Sequence, residues 1–277
     1  MDNQESNRIF GEYLKLSAIP PAKGGRRPDY IVWPETAVPF VLTENPAALQ
    51  SIGRMLKPRQ TLITGAVRVE EEAPGDKPRY YNSILVIDDK GETIAAADKL
   101  HLVPFGEYMP FADFFTWLGV PAIAMPGGFS PGTVRSTLNL GKSLVALPLI
   151  CYEVIFPGAI AAAGPAPDFI LNVTNDAWYG RTTGPYQHLR QAQIRAVETG
   201  LPLLRAGDNG ISVVTDAYGR IIAGIRLDDV GVLDATIGGK NPHKLAVASK
   251  TTIFWLLMAI FLIAAIFSRK GLYRERN

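Results

Sequence analysis

The stretch Ser143-Leu-Val-Ala-Leu-Pro-Leu-Ile-Cys-Tyr-Glu153 decides how this chain is read. A short apolar run of this kind suits a strand buried on both faces, and it stops at a thiol followed at once by a carboxylate. Cys151 is the single cysteine among 277 residues. Taken alone it has an ordinary reading as inert core, because free cysteines are among the most buried residue types. As a nucleophile it would need a base and a cation or hydrogen-bond donor where negative charge develops.

Two further polar residues fall at the ends of apolar strands. Glu35 follows Ile31-Val-Trp-Pro34, and Lys99 follows Thr93-Ile-Ala-Ala-Ala-Asp98. Singly, Glu35 reads as a solvated residue or helix cap and Lys99 as an ordinary lysine. Strand ends are nonetheless where α/β folds gather their sites, and Glu35, Lys99 and Cys151 all lie at such ends.

The rest of the chain alternates strand and helix. Helical spacing covers 7–17, 46–56, 154–163 and 186–199. Strands are expected at 29–33, 61–69, 80–87, 92–97, 144–150, 169–173 and 203–206, and a hairpin pairs 211–215 with 220–224 around Asp216-Ala-Tyr-Gly219. This pattern predicts a layered α/β domain. Hydrophobic residues at 47% and charged residues at 19% exclude a disordered chain. A net charge of +2 offers no nucleic-acid footprint. One cysteine permits neither an internal disulfide nor a cysteine zinc cluster, and the three scattered histidines predict no metal site. No cofactor is expected.

Two apolar stretches stand apart. Phe111 to Pro131 is broken by Pro and Gly yet carries Phe111, Phe114, Phe115, Trp117 and Phe129, which suggests a loop facing something greasy. Thr251 to Phe267 has no charge and no amphipathic period, so residues 251–268 are expected to form a transmembrane helix. Basic residues lie on both sides, with Arg269, Lys270, Arg274 and Arg276 tilting the expectation toward a cytoplasmic C-terminus. The expected division is a catalytic domain over 1–240, the span, and a basic tail over 269–277.

The wording around the three strand ends is specific. Trp33-Pro-Glu-Thr-Ala37, Tyr81-Asn-Ser83, Asp98-Lys-Leu-His-Leu-Val-Pro-Phe-Gly-Glu-Tyr-Met-Pro110, Ile150-Cys-Tyr-Glu153 and Asn175-Asp-Ala-Trp-Tyr-Gly180 resemble the apolipoprotein N-acyltransferases, a branch of the nitrilase (carbon–nitrogen hydrolase) superfamily. Gln187-His188, Arg195-Ala196 and Asn209-Gly210 fit the same pattern. The resemblance implies a four-layer αββα sandwich with a Glu-Lys-Cys triad. It implies transfer of a fatty acyl chain from a phospholipid to the N-terminal amine of a diacylglyceryl-cysteine lipoprotein. It also implies the bacterial inner membrane, with the catalytic domain in the periplasm.

Carried over by residue, Glu35 is the expected general base, Lys99 the oxyanion partner and Cys151 the nucleophile. Glu107 would orient Lys99 or aid proton transfer, and Tyr152 and Glu153 would flank the nucleophile, Glu153 alternatively capping the following helix. Asn175 and Trp178 are expected at the substrate rim, and His188 as a structural histidine. The family carries a membrane half before this domain, which is absent here together with the domain's first strand, so the chain is expected to be a fragment with little activity alone. A soluble-type amidase or nitrilase on the same fold, and an inactive membrane-tethered fragment, are the alternatives.

Overall fold

The computed structural model describes residues 3–21, 24–71, 76–111, 128–242 and 247–274. Two sheets form its centre. The first has strand order β1-β2-β3-β4: β1 (Tyr30–Val32), β2 (Thr61–Glu70), β3 (Arg79–Ile87) and β4 (Thr93–Asp98). The second runs β10-β9-β8-β7-β6-β5: β5 (Leu138–Asn139), β6 (Val145–Ile150), β7 (Phe169–Asn175), β8 (Leu203–Asp208), β9 (Ser212–Thr215) and β10 (Ile221–Ile225). Helices α1 (Asn3–Ser17) and α2 (Pro46–Met55) cover the first sheet, and α3 (Gly184–Thr199) covers the second.

Alternation along each strand builds the layers. In β2, Leu62 and Ala66 face the helices with Leu85 and Ile87 of β3, against Ala48 and Ile52 of α2 and Phe10 and Leu14 of α1. The intervening Ile63, with Ile84 and Val86, turns to the other sheet and meets Ala146, Ile150, Phe169, Leu171 and Val173. The far face of that sheet presents Leu147, Leu149, Ile170, Leu203 and Val213 to Leu189, Ala192 and Ala196 of α3. β6 is buried on both faces, which is why it reads as a continuous apolar run. The order helix, sheet, sheet, helix is the four-layer sandwich expected from the sequence.

β6, β7 and β8 are parallel, with Ile150 beside Val173 and Asn175 beside Asp208. Their C-terminal ends therefore lie together. β1 is parallel to β2, so Glu35, just past β1, leaves its sheet in the direction of β2.

Two expectations change. The helix expected over 154–163 is instead two short 3-10 turns, Cys151–Ile155 and Pro157–Ile160. Pro157 has no N–H to give and drives Phe156 into extended backbone (φ −85°, ψ 118°), so an α-helix cannot run through it. The span expected at 251–268 lies within α4 (Val247–Arg274), but among the described residues no helix is long and apolar enough to cross a membrane. Most of the greasy stretch 111–131, and His243, lie outside the described residues.

Candidate active site

Glu35, Lys99, Glu107 and Cys151 are brought together between the two sheets, and all four are buried. Lys99 Nζ lies 3.2 Å from Glu35 Oε1 and 2.9 Å from Glu107 Oε1. Electrostatic coupling links Cys151 to both Glu35 and Lys99. Burial pushes the Cys151 thiol up to about 12, the negative charge of Glu35 adds to this, and Lys99 opposes it. The thiol is therefore protonated at neutral pH and needs a base at the moment of attack. Burial alone would lower the Lys99 ammonium, but Glu35, Cys151 and Glu107 outweigh it and hold the group above its ordinary value. Lys99 stays charged.

Each of these side chains is held by local backbone. Cys151 sits at the turn from β6 into the first 3-10 segment with φ +48°, a left-handed conformation that a cysteine adopts only under constraint. Glu35 lies on a tight turn, Thr36 having φ +44°, pressed against the middle of β2. Gly65 makes that approach possible: a Cβ there would stand 2.5 Å from Glu35 Cα and from the Pro34 carbonyl oxygen. The turn and strand are tied by Gly65 N–H to Pro34 O (3.0 Å) and Ala37 N–H to Gly65 O (3.1 Å). Glu107 is oriented by the Val103 N–H, which donates to its Oε2 at 2.8 Å.

The carboxylate of Glu35 is strongly supported. Its Oε2 accepts the Asn175 backbone N–H at 2.8 Å, and its Oε1 accepts from Lys99 and from Asn82 Nδ2 at 2.7 Å. The same Asn82 nitrogen donates to Glu107 Oε1 at 2.7 Å. One amide thus spends both protons on two carboxylates and keeps these like charges side by side with Lys99 between them. Asn82 lies within the Tyr81-Asn-Ser83 motif, which on sequence alone carries no role for it. A buried Asn central in a strand, where Asn is disfavoured, was the available signal.

Glu153 lies behind Cys151 and joins two strand ends. Its Oε1 accepts from Leu100 N (2.8 Å) and His101 N (3.2 Å), just after Lys99. Its Oε2 accepts from Ile150 N (2.9 Å), just before Cys151. Arg135 pairs with both oxygens, at 2.6 and 3.1 Å. Burial opposes the charge, yet Arg135 and these amides hold the carboxyl below the usual range. The helix-cap alternative survives only as the Ile150 contact, and Arg135 went unread because it lies far from any motif. Tyr152 is half-buried and packs edge-on against Phe156, ring centroids 4.9 Å apart.

Asn175 and Trp178 diverge. Asn175 belongs to the site through its backbone, with N–H on Glu35 and its carbonyl oxygen 3.9 Å from Cys151 Sγ. Trp178 is 74% exposed and lies beside Gly106; Phe105 and Phe111 are also exposed. It lies outside the buried cluster. His188 is buried, as expected, but it contacts the Cys151 carbonyl.

A carbon-nitrogen hydrolase family profile matches residues 8–239, most of the chain. The chain belongs to that family. Among curated proteins, this carbon-nitrogen hydrolase is 50% identical over 278 residues to the apolipoprotein N-acyltransferase of Agrobacterium fabrum, covering 100% of this chain and 53% of that protein. It is 52% identical over 279 residues to that of Rhizobium leguminosarum bv. trifolii, covering 100% and 52%. The chain spans about half the length of the curated relatives it matches. Among solved structures, an amidase from Nesterenkonia sp. superposes with a TM-score of 0.54 at 20% identity, covering 80% of this chain and 81% of that one. A carbon-nitrogen hydrolase from Helicobacter pylori G27 superposes with a TM-score of 0.56 at 15% identity, covering 80% of each. These structural likenesses carry the fold alone.

Proposed function

We propose that this carbon-nitrogen hydrolase transfers a fatty acyl chain from a phospholipid to the N-terminal amine of a diacylglyceryl-cysteine lipoprotein, through a thioester on Cys151. The observation that carries the reading is the buried Cys151–Glu35–Lys99 grouping in a chain about half identical, along its whole length, to proteins named apolipoprotein N-acyltransferase.

Glu35 takes the thiol proton as Cys151 Sγ attacks the ester carbonyl of the phospholipid. The tetrahedral oxyanion forms beside Lys99, a fixed ammonium in a site closed to water. Collapse breaks the ester C–O bond, the departing lysophospholipid oxygen takes the proton from Glu35, and the acyl group stays on sulfur. In the second half-reaction the lipoprotein amine attacks the thioester, Glu35 accepts a proton from nitrogen, and a second oxyanion again faces Lys99. Its collapse forms the amide and returns the proton to the departing thiolate. Glu107 and Asn82 keep Lys99 and Glu35 in place through both steps, and Glu153 fixes the backbone before Cys151 and after Lys99. Asn175 and Trp178 border the route for substrate.

The same reading places the protein at the bacterial inner membrane with its catalytic domain, residues 1–240, in the periplasm. The described side chains of α4 are exposed and nearly all apolar, Ile253, Phe254, Trp255, Leu256, Phe261 and Leu262 among them, as suits a helix in contact with lipid, and the basic residues of 269–277 follow this apolar stretch in sequence. Exposed Trp178, Phe105 and Phe111 would face the same bilayer.

Restoration of lipoprotein N-acylation in a depleted strain tests the reading, with this chain alone and with it joined to the N-terminal half of the Agrobacterium fabrum relative. The joined form is expected to restore acylation and its Cys151→Ala variant to abolish it. Small-amide hydrolysis by a folded chain that forms no acyl adduct would instead favour an amidase.

A further inference from the structure

The grouping of Glu35, Lys99 and Cys151 does not account for a second buried set on the other side of the nucleophile. His188 of α3 lies with Nε2 3.1 Å from the Cys151 carbonyl oxygen and Nδ1 2.8 Å from Asp176 Oδ1. Arg205 of β8 donates to Asp176 Oδ2 at 2.7 Å, to Asn172 Oδ1, and to the Ile211 carbonyl at 3.2 Å. Asn172 donates in turn to the Leu149 carbonyl, two residues before the nucleophile, at 2.9 Å. All four side chains are buried, and Gly210 is required for the fit, since a Cβ there would stand 2.5 Å from Asp176 Oδ2.

The contacts assign one ring proton. A carbonyl oxygen only accepts, so Nε2 must carry the hydrogen that meets Cys151. Nδ1 lies between an acceptor, Asp176 Oδ1, and a donor, Arg205 Nη2 at 3.2 Å. A charged ring donates there to Asp176 and a neutral ring accepts from Arg205; Nε2–H persists in both states.

We propose that His188 is a positioning residue for the nucleophile: its Nε2–H grips the Cys151 carbonyl and holds the left-handed backbone that aims Sγ at Glu35 and Lys99. Asp176 and Arg205 fix the ring, as a carboxylate partner fixes a functional histidine elsewhere. The left-handed φ of +48° is the feature that needs such a grip, since a residue with a Cβ relaxes from it when released.

The proposal rests on Cys151 being the nucleophile assigned above, and its test does not need the acyl donor. Cys151 is the single cysteine, so alkylation of the full chain by acrylamide, followed by intact mass, reports its reactivity alone. His188→Gln keeps a side-chain N–H that reaches the carbonyl, and His188→Met keeps comparable volume without a donor. The expected result is alkylation of His188→Gln within about 5-fold of the wild type and of His188→Met slowed about 100-fold, the loss that follows from misplacing a reacting atom by about 1 Å. Circular dichroism should show both variants folded, and the ratio of their rates should hold from pH 6 to 8. Equal rates for folded Met and Gln variants would overturn the proposal. Should His188→Met not fold, His188→Gln decides: a folded Gln variant slowed more than about 30-fold would contradict the donor assignment. A wild-type chain whose Cys151 resists alkylation would instead count against the nucleophile itself.

Discussion

Asn82 and Glu153 show how far the chemistry of single residues reaches beyond the three groups that would act on substrate. Asn82 gives both amide protons to Glu35 and Glu107, so its removal leaves the Oε1 atoms of both buried carboxylates with Lys99 as their one shared donor. Asn82→Ala is expected to lower the rate of Cys151 acylation about 100-fold with little change in substrate affinity, as for loss of a preorganised donor. A matching rise in KM at unchanged kcat would show that Asn82 serves binding instead. Glu153 carries a prediction in pH. Its folded carboxyl lies below the ordinary range, so the stability it contributes is present above its unfolded value of about 4.3 and is lost as pH falls through the folded value. Asp176, also held low against its burial by His188 and Arg205, acts with the same sign. Glu153→Gln should cost about 3–5 kcal/mol at pH 7, because Arg135 is left buried without its partner. It should also flatten the fall of the melting temperature between about pH 5 and pH 2; an unchanged slope would mean that Glu153 is not among the groups that titrate on acid unfolding.

At the scale of elements, strands were legible and turns were not. β2, β3, β6, β7 and β8 are buried on one or both faces, so their apolar patterns mark them wherever they fall. The turn after Cys151 carries the same apolar residues as a helix, and Pro157 alone tells the two apart. The gathering of Glu35, Lys99 and Cys151 was legible because each follows a strand and sits in a distinctive motif. The network of Asp176, His188 and Arg205 was not, because it joins β7, α3 and β8, and no local pattern announces contacts over 29 residues. Gly65 lies between these cases: a glycine inside a strand signals close approach, but not of what. The structure names Glu35 and Pro34 as the neighbours. Gly65→Ala must displace that turn or the strand. It is expected to cost about 1–3 kcal/mol and to abolish Cys151 acylation, measured by denaturant unfolding and intact mass on one sample. An active Gly65→Ala chain would show that Glu35 need not be held against β2.

The whole molecule couples a closed, polar, highly bonded site to an apolar helix that nothing in the described structure covers. The sandwich supplies the rigidity: the Glu35 and Lys99 ends of one sheet meet the Cys151 end of the other across a shared apolar layer. Among the described residues, no side chain of α4 belongs to any of the three core clusters. Removal of residues 247–277 is therefore expected to leave the melting temperature of the sandwich within a few degrees while releasing the protein from phospholipid vesicles on flotation; a truncated chain that still floats would place the lipid contact on the sandwich. The central claim is that Cys151 carries an acyl group taken from phospholipid. Its most direct test is intact mass spectrometry of the chain joined to the N-terminal half of the Agrobacterium fabrum relative, after incubation with phospholipid vesicles and no amine acceptor. One fatty acyl mass on Cys151 is expected, released by hydroxylamine and absent from Glu35→Gln and Cys151→Ala. A folded protein with no adduct on Cys151, or an adduct that persists in Cys151→Ala, would contradict it.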